Sequence, residues 1–312
     1  MQSKEVSAVS PKKSFQERSY QQHAELFEEY SSGGEKETQA KTWLEKDTVD
    51  AWLHQRMHQS LDPILKADPN AKWLTVGDGR YGNDAKYILE QGCDALASDI
   101  SDTLLKEAKD IGYISKYKKE NAESLSFQDS EFDYIFCKES YHHFPRPMLA
   151  LYEMLRVAKK GVLLIEPNDA YINNRLSEIL FRNLKHFIKG LLRRNVSRHI
   201  FEDGGNYVFN ISRREIEKVA LGLNYRIIAF KGINAAYYGG VEYEKLSENG
   251  PLQKRVRLRI DIADFFCKLR FLDYAVLAAI IFKQEPSEEM FQQLTKEGYE
   301  IIHLPDNPGI SS

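Results

Sequence analysis

Short apolar runs alternate with helical segments from Lys72 onward, and this is the strongest pattern in the chain. Residues 73–76 read as a strand, 84–91 as a helix stopped by Gly92, and 94–100 as a second strand. Ser101 is placed to cap a helix that sets Leu104, Leu105, Ala108 and Ile111 on one face. A strand at 132–137 follows, then a helix at 147–159 with Leu149, Tyr152, Leu155 and Arg156 at helical spacing, then a strand of buried type at 161–165. Two further strands are expected at 225–230 and 276–282. Such alternation predicts an α/β fold with a parallel sheet covered by helices on both faces.

The flanking regions read differently. Residues 1–15 are polar and expected to be disordered, whereas 16–66 carry a mainly helical pattern broken by the turn-prone Ser31-Ser32-Gly33-Gly34. Two segments of the second half, about 168–211 and 231–272, are too long for simple loops and are expected to cap the sheet. Within the first, residues 181–194 (FRNLKHFIKGLLRR) form a basic amphipathic pattern, read as a cap helix or as a contact for an anionic acceptor or a membrane surface.

Composition narrows the partners. The chain has 312 residues with 42% hydrophobic and 29% charged positions, enough for a sizeable core. Its formal net charge of -3 argues against a protein held mainly by nucleic-acid phosphates, and no nucleic-acid partner is expected. The three cysteines, Cys93, Cys137 and Cys267, lie far apart without CxxC spacing, so reduced buried thiols are expected rather than disulfides or a metal site. The N-terminus lacks the apolar run of a secretory signal, and the longest apolar stretch, 274–282, is too short to span a bilayer. These features place the protein in the cytoplasm; oligomeric state is not readable from the sequence.

Candidate chemistry concentrates at three strand ends. The first is Gly77-Asp78-Gly79-Arg80-Tyr81-Gly82, a glycine-rich turn between a strand and a helix, where main-chain N–H groups can face a ligand. The second is Asp99, 17 positions past Gly82 at the end of the next strand, where a carboxylate can accept both hydroxyls of a ribose. The third runs from Asn121 through Asp133 into the strand and loop that end Lys138-Glu139-Ser140-Tyr141-His142-His143.

In order and spacing, these segments resemble the class I S-adenosylmethionine-dependent methyltransferases of the small-molecule branch, over about residues 72–168. The resemblance implies a Rossmann-like, mostly parallel seven-stranded sheet, with the 16–66 region as a helical lid and 67–312 as the methyltransferase domain. It implies S-adenosylmethionine as cofactor and S-adenosylhomocysteine as product. By the same resemblance, Gly77, Asp78, Gly79 and Gly82 would hold the methionine portion and Asp99 the ribose, with Ile100 against the adenine. Ala122 and Glu123 would flank the adenine edge, and Lys138 would lie near the sulfonium. Two positions depart from the family pattern, Thr75 in place of an acid and Asn121 in place of Asp.

The acceptor is expected to be a small molecule methylated on O or N, in specialised metabolism or on a glycan sugar. A lipid or quinone at a membrane surface is the alternative. His142 and His143 are candidate bases at the sheet edge where such folds bind ligands. Tyr141, Glu166, Tyr237 and Tyr238 are candidate substrate contacts. Two other functions compete. GDGRYG also matches a dinucleotide fingerprint, although no clear second mononucleotide half follows, and Thr75 with Asn121 would suit a non-catalytic cofactor-binding regulator.

Overall fold

The structure is a computed structural model that describes residues 14–169 and 206–309, with positions 177, 179, 180, 183, 184, 187, 200 and 201 between them. The expected disorder of 1–13 and most of the basic 181–194 segment lie outside the described residues.

Ser14 caps α1 (Phe15–Glu29) through a capping box with Glu17, so helix begins inside the stretch expected to lack structure. Helices α2 (Glu35–Thr42), α3 (Val49–His58) and α4 (Asp62–Ala67) complete the N-terminal region. The sheet then opens with β1 (Lys72–Val76), α5 (Asn83–Glu90), β2 (Asp94–Asp99), α6 (Thr103–Asp110), β3 (Tyr117–Lys119), β4 (Phe132–Lys138), α7 (Pro147–Val157) and β5 (Ala158–Pro167). The rest comprises α8 (Arg213–Gly222), β6 (Ile227–Ile233), α9 (Pro251–Lys268), β7 (Val276–Phe282), α10 (Glu288–Lys296) and β8 (Glu300–His303).

The strands form one mixed sheet in the order β3-β2-β1-β4-β5-β7-β6-β8. It has eight strands rather than the expected seven, because the short β3 and β8 carry too few residues to show a pattern. The first five run parallel, while β7 is antiparallel to both β5 and β6, and β8 is antiparallel to β6. Central strands are apolar on both faces: Trp73, Leu163 and Ile280 enter one core, and Leu74, Leu164 and Ile281 the other. Helices α4, α5, α6 and α10 cover the first face; α7 and α8 cover the second. A separate cluster of Val49, Leu53, Ala236, Val241, Val256 and Ile260 fastens α9 to α3.

Two helix readings change. Asp102, not Ser101, occupies the N-cap of α6, the Ser101 N–H being bound to Asp99, and Ile111 at its end is exposed. On α7 the buried face is Ala150, Leu151, Met154 and Leu155, which leaves Leu149 and Tyr152 toward solvent. All three cysteines are buried and free. No described helix is long and apolar enough to cross a membrane.

Candidate active site

Strand order reverses direction between β1 and β4, and an open parallel sheet leaves a crevice at the carboxyl ends of the strands on either side of such a point. A cavity of about 660 Å3 lies there. Gly77, Asp78, Gly79, Asp99, Ile100, Ala122, Lys138, His142 and His143 line it, together with residues of α1 and α3. Gly82, Glu123, Tyr141, Glu166, Tyr237 and Tyr238 are not among its lining residues.

The turn after β1 works by close approach rather than by presenting N–H groups to a ligand. Gly77 and Asp78 both donate to the Ser98 carbonyl (2.9 and 3.0 Å), Tyr81 donates to Gly79, and Gly82 to Asp78. The Gly77 backbone is left-handed (φ 76°), and a Cβ there would sit 2.3 Å from the Ser140 Cβ. Its absence lets the loop after β4 close on β1, where the Ser140 hydroxyl donates to the Gly77 carbonyl (2.5 Å). A Cβ on Gly79 would strike the Phe27 ring of α1 at 2.5 Å. Tyr81 also takes a positive φ of 56°, unusual for a bulky residue.

The Asp78 carboxylate faces inward. It accepts from the Asp84 and Ala85 N–H groups (3.1 and 2.9 Å) and from the Thr75 hydroxyl (2.8 Å), bridging β1 and the start of α5. Burial, then the charge of Asp84, pushes its pKa well above the usual carboxylate range. Thr75 is thus spent on Asp78. Gly82 starts α5 with φ 71°, packed against Ile114 and Ala97 behind the cavity.

Asp99 ends β2 with its carboxylate buried in the cavity wall, accepting from the backbone N–H groups of Ser101, Gly79 and Ile100. Burial outweighs these donors and lifts its pKa to about 7. Asn121 spends its side-chain oxygen on the Glu123 N–H (2.9 Å), which shapes the turn beside Ala122. Glu123 lies behind that turn, its carboxylate tied to the Arg146 backbone N–H and guanidinium (2.6 Å each).

Lys138 ends β4 nearly buried, its Nζ 3.3 Å from Asp84 and 3.1 Å from His54 Nδ1. Burial opposes its charge, but Asp84 and Glu139 overcome that and hold its pKa above the ordinary lysine value. On the other side of Asp84, His58 Nε2 donates across 2.7 Å. Burial keeps His58 below its usual pKa despite that carboxylate, so a neutral ring donates to an ionised Asp84. His54 is pressed well below its ordinary pKa by burial and then by Lys138 and Arg80. A neutral imidazole has one acceptor nitrogen, yet His54 faces Lys138 at Nδ1 and Arg80 at Nε2 (3.0 Å). A carboxylate also stands by each nitrogen, Glu139 3.4 Å from Nδ1 and Asp50 3.6 Å from Nε2, so each ring nitrogen faces one cation and one carboxylate.

The sequence pattern alone does not single out this cluster. Its one local signal is His54 and His58 four residues apart, on the same face of a helix.

The loop after β4 is organised by Glu166, which is fully buried. It accepts from the Ser140 and Tyr141 N–H groups (2.9 Å each) and lies 2.5 Å from His142 Nδ1. One carboxylate therefore caps the turn and fixes the imidazole that reaches the cavity wall. The His143 ring packs 3.9 Å from that of His142. Tyr141 packs inside, its hydroxyl against the Met148 sulfur (3.2 Å). Tyr237 and Tyr238 lie with the α9 side of the molecule, Tyr237 on Glu242 and Tyr238 beneath Arg255 and Arg259.

Comparison with known proteins agrees with this geometry: residues 74–165 match the family model of the methyltransferase domain. The chain carries a class I S-adenosylmethionine-dependent methyltransferase domain. Its cofactor is S-adenosylmethionine. A 100-residue stretch is 29% identical to 2-methyl-6-phytyl-1,4-hydroquinone methyltransferase of Synechocystis, covering 31% of each chain. Among solved structures, an S-adenosylmethionine-dependent methyltransferase of Thermotoga maritima is 13% identical with a TM-score of 0.46, over 84% of this chain and 99% of that one. Magnesium protoporphyrin IX methyltransferase of Synechocystis, solved with S-adenosylhomocysteine, is 13% identical with a TM-score of 0.44, over 86% and 95%.

The residues present fit the cofactor. The buried Asp99 carboxylate, with its pKa raised to about 7, would gain from the two hydroxyl donors of a ribose, and the cavity is within the size range of small-molecule and cofactor sites.

Proposed function

We propose that this chain transfers the methyl group of S-adenosylmethionine to an oxygen or nitrogen atom of a small molecule. The observation that carries the reading is the arrangement of one cavity, with Asp99 on one wall and the Glu166-held His142 on another. Asp99 would hold the ribose hydroxyls, with Ile100 and Ala122 against the adenine and the Gly77–Gly79 turn and Lys138 toward the methionine end. Bound there, the cofactor supplies an electrophilic methyl on a sulfonium. Such a displacement needs alignment, exclusion of water and, for a hydroxyl acceptor, removal of its proton.

His142 is suited to that last task, because Glu166 at 2.5 Å fixes the ring and stabilises the imidazolium formed when the acceptor proton arrives. His143 would pack the wall beside it. The 16–66 region would serve as a lid on the 67–312 domain, with 168–211 and 231–272 as caps. In support, Tyr20, Phe27 and Tyr30 of the α1 region line the cavity, and Asn206 joins Ser19 to the His143 carbonyl.

The net charge and the enclosing helices favour a small molecule over a nucleic acid, and analogy with the family points to a specialised metabolite or glycan sugar as its class. A lipid or quinone is the second reading, prompted by the apolar outer face of α9. The test is formation of S-adenosylhomocysteine from S-adenosylmethionine over a panel of phenols, amines, sugars and quinones. Turnover with one acceptor class, lost in His142→Ala with cofactor binding intact, is the expected result. Cofactor binding with no turnover across the panel would favour a non-catalytic regulator instead.

A further inference from the structure

Helix α9 has two apolar faces where a surface helix needs one. Val256, Ile260 and Cys267 are buried, the first two in the cluster shared with α3. On the opposite side Leu258, Ile262, Phe265 and Leu269 recur at i, i+4, i+7 and i+11, a single stripe at 3.6 residues per turn. With Phe266 beside them, they are between 37% and 61% exposed. Phe271, past the helix end, is exposed as well. There the Ser177 hydroxyl donates to its carbonyl (2.9 Å), and the helical positions Leu180, Leu184 and Phe187 of that segment are exposed as well.

Charge says what this ridge fits. Lys254, Arg255, Arg257, Arg259, Lys268 and Arg270 flank it on both sides, in a chain whose net charge is -3. Only Asp261 and Asp264 oppose them between 254 and 270, and Asp264 is taken up by Asn234 and Arg56. The guanidinium of Arg257 lies over Trp52 and those of Arg255 and Arg259 over Tyr238, which holds three exposed cations beside the helix, while Lys254, Lys268 and Arg270 are exposed as well. An apolar ridge with basic margins is the form of a helix lying in a membrane interface, where the cations complement anionic headgroups.

We propose that the outer face of α9 docks on an anionic lipid surface, with Leu258, Ile262, Phe265 and Leu269 entering the acyl boundary and the flanking Lys and Arg meeting the headgroups. This goes beyond the proposed methyl transfer and stands whether or not that reading holds. Docking would also seat α3, whose other face carries His54 and His58 to the cavity, next to the bilayer.

Co-sedimentation of the full chain with vesicles tests it, comparing phosphatidylcholine alone with phosphatidylcholine mixed with phosphatidylglycerol. The wild type is expected to partition onto the anionic vesicles at least about tenfold better, less so as salt is raised. Ile262→Glu/Phe265→Glu and, separately, Lys254→Glu/Lys268→Glu are each expected to remove most of that binding. All four positions are exposed, so both variants should keep the wild-type circular dichroism and cofactor affinity. Wild type remaining in the supernatant with anionic vesicles would overturn the proposal. So would undiminished binding by the Ile262→Glu/Phe265→Glu variant. A dimer in light scattering that the same variant converts to monomer, without vesicle binding, would assign the face to a second copy of the chain.

Discussion

The cavity has two walls built in different ways. The wall assigned to the cofactor comes from consecutive strand ends: the Gly77–Gly82 turn, Asp99 and the Asn121–Ala122 turn, each reached by a short connection from the strand before it. The facing wall is assembled from α1, α3 and the loop after β4, whose partners are far apart in sequence. His54 of α3 reaches across 84 positions to Lys138 at the cofactor end, and Ser19 meets Asn206 across 187. One wall is local and rigid, held by sheet register and backbone hydrogen bonds. The other depends on side chains of separately folded elements meeting, and on the proposed assignment this would let acceptor chemistry vary without disturbing the cofactor wall.

If this division is real, substitutions on the two walls should separate kinetically. His142→Ala is expected to lower kcat by about 10²–10⁴-fold, the usual scale for a positioned base, with cofactor Kd unchanged. Glu166→Gln should give a smaller loss and shift the pH–rate profile. Asp99→Ala is expected to weaken S-adenosylmethionine binding by roughly 10²–10⁴-fold in calorimetry, since the two hydrogen bonds to a charged group contribute about 1.5–3 kcal/mol each. Loss of cofactor affinity in His142→Ala, or its retention in Asp99→Ala, would break the comparison.

The next effect sharpens it by pH. Burial lifts the Asp99 pKa to about 7, and ribose hydroxyls held there would bind best to its ionised form. Below that value a proton must leave for binding, so affinity should fall as pH drops, by up to about tenfold per unit. It should be level above about pH 8. The sign for the unliganded protein is opposite: a raised carboxyl pKa contributes stability at low pH that is lost as pH rises through about 7. Calorimetric titrations at stepped pH, with Asp99→Asn as control, check both the slope and its source. A flat profile would show that another group carries the ribose contact.

This difference between the walls also explains what could be read from sequence. Strands β1, β2, β4, β5, β6 and β7 were legible because their apolar runs are long enough to bury both faces, whereas β3 and β8 have three and four residues. Gly77 and Asp99 stood out because a turn and a strand end give them local context. The actual use of the turn did not, since only the folded structure shows its N–H groups spent on Ser98 and on the turn itself. His54, His58 and Asp84 were illegible for a different reason. A histidine in a helix acquires meaning only when tertiary packing sets it against Lys138, and no local rule encodes that meeting. Glu166 was half legible: its place past β5 was visible, while its hold on His142, Ser140 and Tyr141 needed the fold of the loop.

The smallest effect concerns Phe27, where the two walls touch. Its ring covers Gly79 closely enough that a Cβ there would collide, and it packs with His23 (5.1 Å) and Tyr30 (5.8 Å) on the inner side of α1. Within α1 only Ser19 is fully buried, so the helix is held lightly and contributes little to global stability. Phe27→Ala should therefore move the thermal midpoint by no more than about 2 °C. The same change uncovers the turn and removes apolar area over the cofactor wall. S-adenosylmethionine affinity is expected to fall about two- to fivefold, mainly through faster dissociation in stopped flow. Limited proteolysis gives an independent reading: cofactor should protect α1 from cleavage in the wild type and less so in Phe27→Ala. If dissociation is unchanged and cofactor gives α1 no protection, α1 is a fixed wall and not a lid, and control of cofactor exchange belongs to the loop between β4 and α7.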